Sequence, residues 1–329
     1  MAPGNRKNPR NALTSDSQYQ FVDFLRDFPD DEACLTWLWD KRYNLGDDTA
    51  HCDRCGEIRQ FRRYETKQQR QNWDCTFCGL HVHPTAGTIF HKSSTSLQLW
   101  FYAMYLMTST RSGISAKQLE RELGVTYKTA WRIFHLIRTE LMIQDEDMIL
   151  DGEVEADEMY VGGRPHQSEQ HKWGPPNSKE RRQGAMRWSM DHRTGVFGMV
   201  ERKGRVSAFV IPQQPGKVIM GHIESKIAPT AHLFTDESNL YRNVMTYSGV
   251  SAHSTINHSA KVYVSGNIHT QTIESFWSQV KRGIVGVHGA VSPKHLQGYL
   301  NEYVWRFNHR KDGRIMFFTL ALRSAFPVA

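Results

Sequence analysis

The sequence predicts a multidomain α+β protein, in which a cysteine-bound β module and a helical module precede a larger α/β domain. Two Cys-x-x-Cys pairs fall within residues 51–83, and apolar residues at helical spacing dominate residues 95–143. After residue 153, strand-like and helical patterns alternate, which is typical of an α/β domain. With 329 residues, the chain is long enough for two or three domains. We therefore expect four segments, which are residues 1–47, 48–92, 93–147 and 148–329.

The charge balance favours a polyanionic partner. Lys and Arg total 41 against 34 Asp and Glu, which gives a net charge of +7 and a pI of about 9.1. Nucleic acid is the first expectation for such a chain, although an ordinary basic enzyme would show the same balance. The sequence has no run of about eighteen apolar residues and no signal-peptide pattern. We therefore expect a cytoplasmic, nucleoid-associated protein with no membrane partner.

The first segment combines a polar arm with short helices. Residues 1–17 carry almost no apolar side chains, which predicts a disordered arm or one that touches nucleic acid. Residues 18–43 show apolar residues at helical spacing and predict one or two amphipathic helices. Cys34 falls among these apolar positions, so we expect a core residue rather than a reactive thiol.

Four of the five cysteines are spaced as ligands of one structural zinc ion. They form two motifs separated by nineteen residues, Cys52-x-x-Cys55-Gly56 and Cys75-x-x-Cys78-Gly79. The glycine after each pair permits the tight turn that directs both thiolates to a tetrahedral ion. This spacing favours metal over disulfides, although a redox pair or a chance cluster would leave the same pattern. Nearby residues that could replace a ligand are His51, His81 and His83. We predict a zinc ribbon over residues 48–92, with one Zn²⁺ in a closed site that serves folding.

The stretch between the two cysteine pairs is basic. Arg59, Arg62 and Arg63 lie in a segment with the alternation of short strands. Basic side chains on such a surface favour binding to the phosphates of nucleic acid. A solvated basic face without a ligand is the alternative.

Residues 115–135 predict a helix-turn-helix. Ser115 can cap the first helix, Gly124 marks the turn, and Thr126 can cap the second helix. The side chains that the second helix presents outward near its start are Tyr127, Lys128 and Arg132. Such side chains reach bases in the major groove, so we predict that residues 93–147 bind DNA. A helical hairpin packed on its neighbours is the alternative.

Three acidic residues stand at defined places in the last segment: Asp157 within a strand, Asp236 at a strand end, and Glu274 near a helix start. Adjacent strands with a helix packed on them would bring three carboxylates together. Three carboxylates can hold two divalent cations, Mg²⁺ or Mn²⁺, for phosphoryl transfer. Glu155 shares the strand face of Asp157 and remains a rival ligand. The acidic neighbours that should face elsewhere are Glu158 and Glu237.

A helix predicted over residues 270–282 carries the third acid. Apolar side chains recur along one stripe of this segment, and Thr270 or Thr272 can serve as its N-cap. Lys281 follows Glu274 by two turns, which puts the two side chains on nearly the same face and about 10 Å apart. This pairing suits a metal beside a phosphate backbone. A surface helix with solvated charges is the alternative.

Several stretches carry a family resemblance. They are Asp157-Glu-Met-Tyr-Val-Gly-Gly163, Phe234-Thr-Asp-Glu237, His269-Thr-Gln-Thr-Ile-Glu-Ser-Phe-Trp-Ser-Gln-Val-Lys-Arg-Gly283, Val291-Ser-Pro-Lys-His-Leu-Gln297 and Phe307-Asn-His-Arg310. On these motifs the chain resembles the DDE transposases of bacterial insertion sequences, of the kind with an N-terminal zinc ribbon. It is also similar to the eukaryotic Merlin type. The likeness covers most of residues 48–310.

The resemblance implies an RNase H-like α/β catalytic domain at residues 148–329, with an insertion loop at residues 164–184. It implies that the protein binds double-stranded DNA, cleaves it at terminal inverted repeats, and joins the 3′ ends to target DNA. It also implies a homodimer, because two transposon ends must be processed together.

The resemblance further assigns roles to single residues. The metal ligands that it implies are Asp157, Asp236 and Glu274. It selects Asp157 over the rival Glu155, and it places Lys281 in contact with the DNA end. The adjacent Arg282 is a further candidate for DNA contact.

Two other functions remain open at this point. One is a zinc-dependent DNA-binding regulator derived from a transposase, with a catalytic domain that no longer works. The other is a nuclease or resolvase that cuts DNA without joining it. A nuclease assay with Mg²⁺ separates the first from a transposase, and a strand-transfer assay with precut ends separates the second.

Overall fold

The computed structural model describes residues 19–65, 71–110, 112–162, 178–180, 183, 193–211, 216–242, 244–247, 249–256 and 269–328. The predicted arm at residues 1–17 lies outside the described residues, as does most of the predicted insertion loop at residues 164–184. The chain divides into two compact units, one made of Met1–Met142 with His309–Ala329 and the other of Ile143–Asn308.

The elements follow one another in mixed order. The helices are α1 (Phe21–Asp27), α2 (Asp31–Arg42), α3 (Leu97–Ser109), α4 (Ala116–Leu123), α5 (Tyr127–Leu136), α6 (Gly216–Lys226), α7 (Val244–Tyr247), α8 (Gln271–Gly283), α9 (Leu296–Asn308) and α10 (Ile315–Ser324). The strands are β1 (Thr49–Cys52), β2 (Glu57–Glu65), β3 (Gln71–Cys75), β4 (His81–Val82), β5 (Glu153–Val161), β6 (Thr194–Glu201), β7 (Val206–Ile211), β8 (His232–Asp236) and β9 (Ala252–Ile256). Short 3₁₀ or π-helical turns occur at Ile137–Leu141, Asn239–Tyr241, Ile284–His288 and Pro293–His295. None of the helices in the described ranges is long and apolar enough to cross a membrane.

In the first unit, α2 and the cysteine module share one core. Strands β1 to β4 form an antiparallel sheet in sequence order. Trp39 of α2 stacks on Trp73 of β3 with ring centroids 4.8 Å apart, and its Nε1 donates to Asp48 at 2.9 Å. The predicted boundary at residue 47 therefore separates elements that pack together. Cys34 of α2 is fully buried, as expected, and this burial raises the pKa of its thiol.

The last helix belongs to the N-terminal unit, which differs from the predicted domain at residues 148–329. Phe317 of α10 is buried, and its ring packs against Tyr19, Phe24 and Phe28 with centroids 4.8, 6.1 and 5.8 Å away. Aromatic pairs at these separations bury large apolar areas. The apolar face of α10 is thus satisfied by aromatic residues from the other end of the chain.

Helices α4 and α5 begin and end where the sequence predicts. Ser115 Oγ accepts from the backbone N–H of Gln118 at 3.0 Å, and Thr126 Oγ1 accepts from that of Thr129 at 3.3 Å. Gly124, between the helices, has φ of +63°, a conformation that glycine adopts without steric cost. Local capping and turn chemistry therefore set this helical pair.

The second unit is built on a mixed sheet with helices on both faces. Among the described residues the strand order is β7-β6-β5-β8-β9, in which β5–β6 and β6–β7 are antiparallel and β5–β8 and β8–β9 are parallel. Val154 and Ala156 of β5 pack into one apolar cluster with α6 and α7. Met159 of the same strand packs into another cluster with α8 and α9. Because side chains alternate along β5, successive residues of this strand face the layer of α6 and α7 and the layer of α8 and α9 in turn.

Side-chain amides occupy the outer edge of β7. Asn308 accepts from the N–H of Val206 at 2.8 Å and donates to its carbonyl oxygen at 3.0 Å. Gln144 makes the same pair of bonds to Ala208, and Gln297 accepts from the N–H of Val210 at 2.9 Å. These bonds use the backbone groups that a further strand would need. This edge of the sheet is therefore closed to strand pairing.

Replacing Asn308 with leucine is expected to destabilise the protein. The variant would leave both backbone groups of the buried Val206 without their partner, at a cost of about 2–4 kcal/mol in the free energy of unfolding. Urea unfolding would measure the change, with Gln279→Leu on the exposed side of α8 as the matched amide-to-leucine control. Equal stability of the two variants would contradict the edge role of Asn308.

Candidate functional site

The two predicted aspartates lie on neighbouring parallel strands. In the register of β5 and β8, Glu155 is opposite Phe234. The paired register ends there, and Asp157 and Asp236 each lie two residues further along their strands, so alternation puts both on the sheet face of Glu155 and Phe234. Both aspartates also act on the pKa of Glu158 and of Tyr241. Neighbouring strands are about 4.8 Å apart, so the fold brings these two carboxylates into one region.

Helix α8 packs on that same sheet face. Its predicted apolar stripe is buried and consists of Ile273, Phe276, Trp277 and Val280. The ring of Trp277 covers Gly198 of β6, where an added Cβ would lie 2.5 Å from a ring carbon. Gly198 is the cross-strand partner of Asp157. The helix that carries Glu274 is therefore pressed onto the sheet beside Asp157, with Trp277 one turn after Glu274.

Glu274 lies in the first turn of α8 and is exposed. Its Oε1 accepts from Thr270 Oγ1 at 3.1 Å. Thr270 occupies the N-cap position, as predicted, but its side chain makes no capping bond to the backbone of the helix. Thr272, the other predicted cap, lies inside the helix as its second residue. Instead, the carboxylate of Glu155 on β5 accepts from the backbone N–H groups of Thr272 and Ile273. Glu155 lies 117 and 118 residues before them in the chain.

Asp157 and Asp236 share one region of negative potential. Burial raises the pKa of Glu158 to about 7, and the charges of Asp236 and Asp157 add to this rise, although the hydrogen bond from Tyr241 opposes it. The pKa of the buried Tyr241 is likewise raised by burial, by Glu158 and by both aspartates. Glu158 faces the α6 layer, as strand alternation predicts. Crowded carboxylates of this kind favour binding of a hard divalent cation.

The three predicted acids do not form a compact one-ion cage. Among the described residues, the four cysteines form the group of three or more possible metal ligands whose donor atoms all lie within 4.8 Å of one another. A site for two ions about 3.5–4 Å apart spreads its ligands more widely than a site for one ion. Asp157 and Asp236 are half-buried and Glu274 is exposed.

The four predicted zinc ligands come together. Their Sγ atoms all lie within 4.8 Å, with Cys52 to Cys78 at 3.5 Å and Cys55 to Cys75 at 3.9 Å. A tetrahedral ion with bonds of about 2.3 Å to sulfur requires sulfur atoms about 3.8 Å apart. The cluster therefore has the size and donor set for one zinc ion. Both knuckle glycines have φ of +70°, as the predicted tight turns require, and they are Gly56 and Gly79.

The electrostatics of the cluster suit thiolate ligation. Burial acts to raise the pKa of Cys75, but backbone N–H groups of Cys78 and Phe77 outweigh it and lower the pKa to about 7. For Cys55, burial and the hydrogen bonds that it donates to the neighbouring thiols raise the pKa. Backbone donors aimed at a sulfur stabilise its thiolate form, which is the form that binds metal.

The basic side chains of β2 are not equivalent. Arg59 contacts Glu57 at 2.7 Å and lies over the ring of the exposed Phe77. Arg63 contacts Glu32 at 2.9 Å and is half-buried. Arg62 is exposed. Of the three predicted phosphate contacts, two are therefore engaged by acidic residues of the same unit, and Arg62 is the one presented outward.

The other predicted nucleic-acid contacts lie on helix surfaces. The exposed side chains near the start of α5 are Tyr127, Lys128 and Arg132, whereas Ala130, Ile133 and Phe134 are buried, as predicted. Lys281 and Arg282 are exposed in the last turn of α8. Both sets are thus sterically available to a polyanion.

Sequence reasoning missed three residues that shape this site. Arg202 holds the buried carboxylate of Glu155 and Tyr241 that of the half-buried Glu158, and neither has a local pattern that distinguishes it. Gly198 does have such a pattern, because an isolated glycine inside a strand often marks close approach of another element. Here that element is the ring of Trp277.

Comparisons with known proteins identify transposase-like relatives. Residues 149–308 match the family described as the ISXO2-like transposase domain. A relative from Halobacterium salinarum, "Uncharacterized protein in transposable element ISH50", is 27% identical over 258 residues, which cover 77% of this chain and 84% of that protein. A relative from Haemophilus influenzae, "Uncharacterized transposase-like protein", is 30% identical over 107 residues, which cover 32% of this chain and 84% of that protein.

One solved structure is also similar over part of its length. It is titled "CryoEM structure of simian T-cell lymphotropic virus intasome in complex with PP2A regulatory subunit B56 gamma". The likeness has 13% identity and a TM-score of 0.30, and it covers 59% of this chain and 65% of that chain, a little less than two thirds. A TM-score this low establishes no shared fold.

Proposed function

Because the chain belongs to the DDE transposases of insertion sequences, we propose that it binds the terminal inverted repeats of its element, cuts the DNA at the element ends and joins the 3′ ends to target DNA. The observation that carries this proposal is the parallel pairing of β5 with β8 two residues before Asp157 and Asp236, together with the packing of the helix that carries Glu274 on the same sheet. The strand order of the second unit, three antiparallel strands followed by two parallel ones, supports an RNase H-like catalytic domain.

In this proposal Asp157, Asp236 and Glu274 hold two Mg²⁺ or Mn²⁺ ions. Such ions activate a water or a 3′-hydroxyl and stabilise the leaving oxygen in phosphoryl transfer. Lys281 lies two turns after Glu274 on the exposed side of α8, where its ammonium group would hold a phosphate of the DNA end. The chain itself supplies position and charge rather than covalent chemistry.

DNA recognition falls to the first unit. We assign the helix-turn-helix role to α4 and α5, with Tyr127, Lys128 and Arg132 directed to the major groove. Arg62 of the zinc ribbon would add a phosphate contact. Two ends must be cut and joined together, so we propose that a homodimer is the active form on paired ends.

Replacing Arg132 with alanine is expected to weaken binding to the inverted repeat by about 1–3 kcal/mol and to reduce discrimination against scrambled DNA. The side chain is exposed on α5, so its removal leaves the apolar face of the helix intact. Fluorescence anisotropy at several salt concentrations would measure both effects. Lys41→Ala, an exposed basic residue at the end of α2, serves as the charge-matched control. Equal loss in the two variants would argue against specific recognition by α5.

The function itself is tested with DNA that carries the element's own ends. Purified protein and Mg²⁺ should cut at the repeat boundary, and precut ends should be joined to a target plasmid. Sequence-specific binding without cutting on paired ends would instead support the regulator derived from a transposase. Cutting without joining would support a nuclease or resolvase.

A further inference from the structure

Glu155 is a fully buried carboxylate that the proposed reaction does not use. It lies on β5 two residues before Asp157 and on the same sheet face, and none of its surface is exposed. Burying a charged carboxylate is costly unless its oxygens have hydrogen-bond partners. The partners of Glu155 therefore indicate what this residue is for.

Both oxygens of Glu155 are saturated with donors. Oε2 accepts from the backbone N–H groups of Thr272 and Ile273 at 2.7 and 3.0 Å. Oε1 accepts from Thr272 Oγ1 at 3.0 Å and from Arg202 Nε at 2.8 Å, and His269 Nδ1 lies 3.1 Å from the same oxygen. A carboxylate offers about four acceptor positions, so these bonds leave none for a metal ion. Glu155 is thus excluded as the rival ligand that the strand pattern allowed.

The two backbone donors belong to the first turn of α8. The first N–H groups of a helix have no partner within the helix, and the helix dipole favours a negative charge at this end. Glu274 follows Ile273 directly in the chain. The strand that carries Asp157 therefore holds, through one side chain, the turn that carries Glu274.

Arg202 extends this connection to the third acid-bearing element. Its guanidinium group donates to the carbonyl oxygen of His269 at 2.9 Å, just before α8. The same group lies 4.1 Å from the ring centroid of Phe234 on β8, two residues before Asp236. Arg202 balances the charge of Glu155 and contacts the segments that lead to Glu274 and Asp236.

We propose that Glu155 is the positioning residue of the acidic site, and that its carboxylate fixes the first turn of α8 so that Glu274 stands at a set place relative to Asp157 and Asp236. This inference rests on the proposed function, because it assigns these three acids to one metal-binding site. Glu155 touches neither metal nor DNA in this role. It acts through the helix that it caps.

The test replaces Glu155 with glutamine, which keeps the size of the side chain. A carboxamide has one oxygen, so two of the four donors would face an NH₂ group instead of an acceptor. Amide hydrogen exchange at Thr272 and Ile273 should become about tenfold faster or more. The half-saturating Mg²⁺ concentration for cleavage should rise about fivefold or more, and the rate should fall about 10–100-fold. Affinity for end DNA should stay within about twofold.

Glu153→Gln is the matched control. Glu153 lies on the same strand two residues earlier, is exposed, and contacts Arg202 at 3.3 Å. This variant loses the same charge and should show normal exchange and a normal Mg²⁺ requirement. Raised Mg²⁺ should restore part of the rate of Glu155→Gln, which a general loss of folding would not allow.

Thr272→Val provides a second variant that keeps the side-chain shape and removes one of the four donors. It should raise the half-saturating Mg²⁺ concentration in the same direction by about twofold to threefold. The inference is overturned if Glu155→Gln exchanges and cleaves like the wild type, or if Thr272→Val has no effect on the Mg²⁺ requirement. A wild-type protein that does not cut DNA in Mg²⁺ would refute the proposed function instead, and exchange at Thr272 and Ile273 would still show whether Glu155 holds α8.

Discussion

Asp236→Asn is expected to lower the rate of DNA cleavage at the element ends by at least about 10³-fold while leaving the affinity for end DNA unchanged. Replacing a residue that hydrogen-bonds a metal ligand lowers metal affinity or activity about 10–100-fold, so replacing a ligand itself should lower the rate further. Asparagine keeps the size of the side chain and removes the charge that attracts the cation. Asp236 stands at the end of β8 in the second unit, whereas DNA binding is assigned to α4 and α5 of the first unit.

A single-turnover cleavage assay in Mg²⁺, together with anisotropy on end DNA, would measure both quantities. Glu237→Gln is the matched control, since this neighbouring acid is exposed and lies just after the end of β8. Asp157→Asn should behave as Asp236→Asn does. Cleavage by either aspartate variant at the rate of the control would remove these residues from the catalytic site.

Cys52→Ser is expected to abolish zinc binding and to unfold the cysteine module. Zinc binding to small structural sites contributes about 10–16 kcal/mol, which is comparable to or larger than the whole stability of a typical domain. Cys52 is fully buried in the cluster that also contains Trp39 and Trp73. Loss of the ion should therefore release α2 as well, and weaken binding to end DNA.

Zinc content per chain and tryptophan fluorescence would follow this change. Cys34→Ala is the appropriate control, because Cys34 is buried in α2 outside the metal cluster. This variant should retain one zinc ion per chain. A Cys52→Ser protein that retains a full complement of zinc would show that the four thiols are not the ligand set.

Sequence spacing was sufficient where the interaction is local. The Cys-x-x-Cys-Gly knuckles, the caps at Ser115 and Thr126, and the left-handed Gly124 all depend on residues within a few positions of one another. The apolar stripe of α8 follows from the helical period alone. The strand His232–Asp236 likewise ends at Asp236, as predicted.

Long-range packing decided what the pattern left open. Strand alternation placed Glu155 and Asp157 on one face and could not rank them, because both positions satisfy the same period. The fold brings the backbone N–H groups of Thr272 and Ile273 in α8 to Glu155, which lies 117 and 118 residues earlier in the chain. Glu155 therefore accepts hydrogen bonds that hold the start of this helix. The hydrogen bonds of the Gln144 and Asn308 side-chain amides with the backbone of β7 likewise join residues that are far apart in the chain.

By itself, the sequence determined the cluster of four cysteines, the helical pair and the strands that carry the two aspartates, because these follow from short-range geometry and periodicity. The tertiary structure alone decided that α10 returns to the N-terminal unit, that Arg59 and Arg63 are engaged by acids, and that Glu155 caps α8. The physical reason is that a buried charge or an apolar helix face specifies only the kind of partner it needs. Which distant residue supplies that partner is settled when the chain folds.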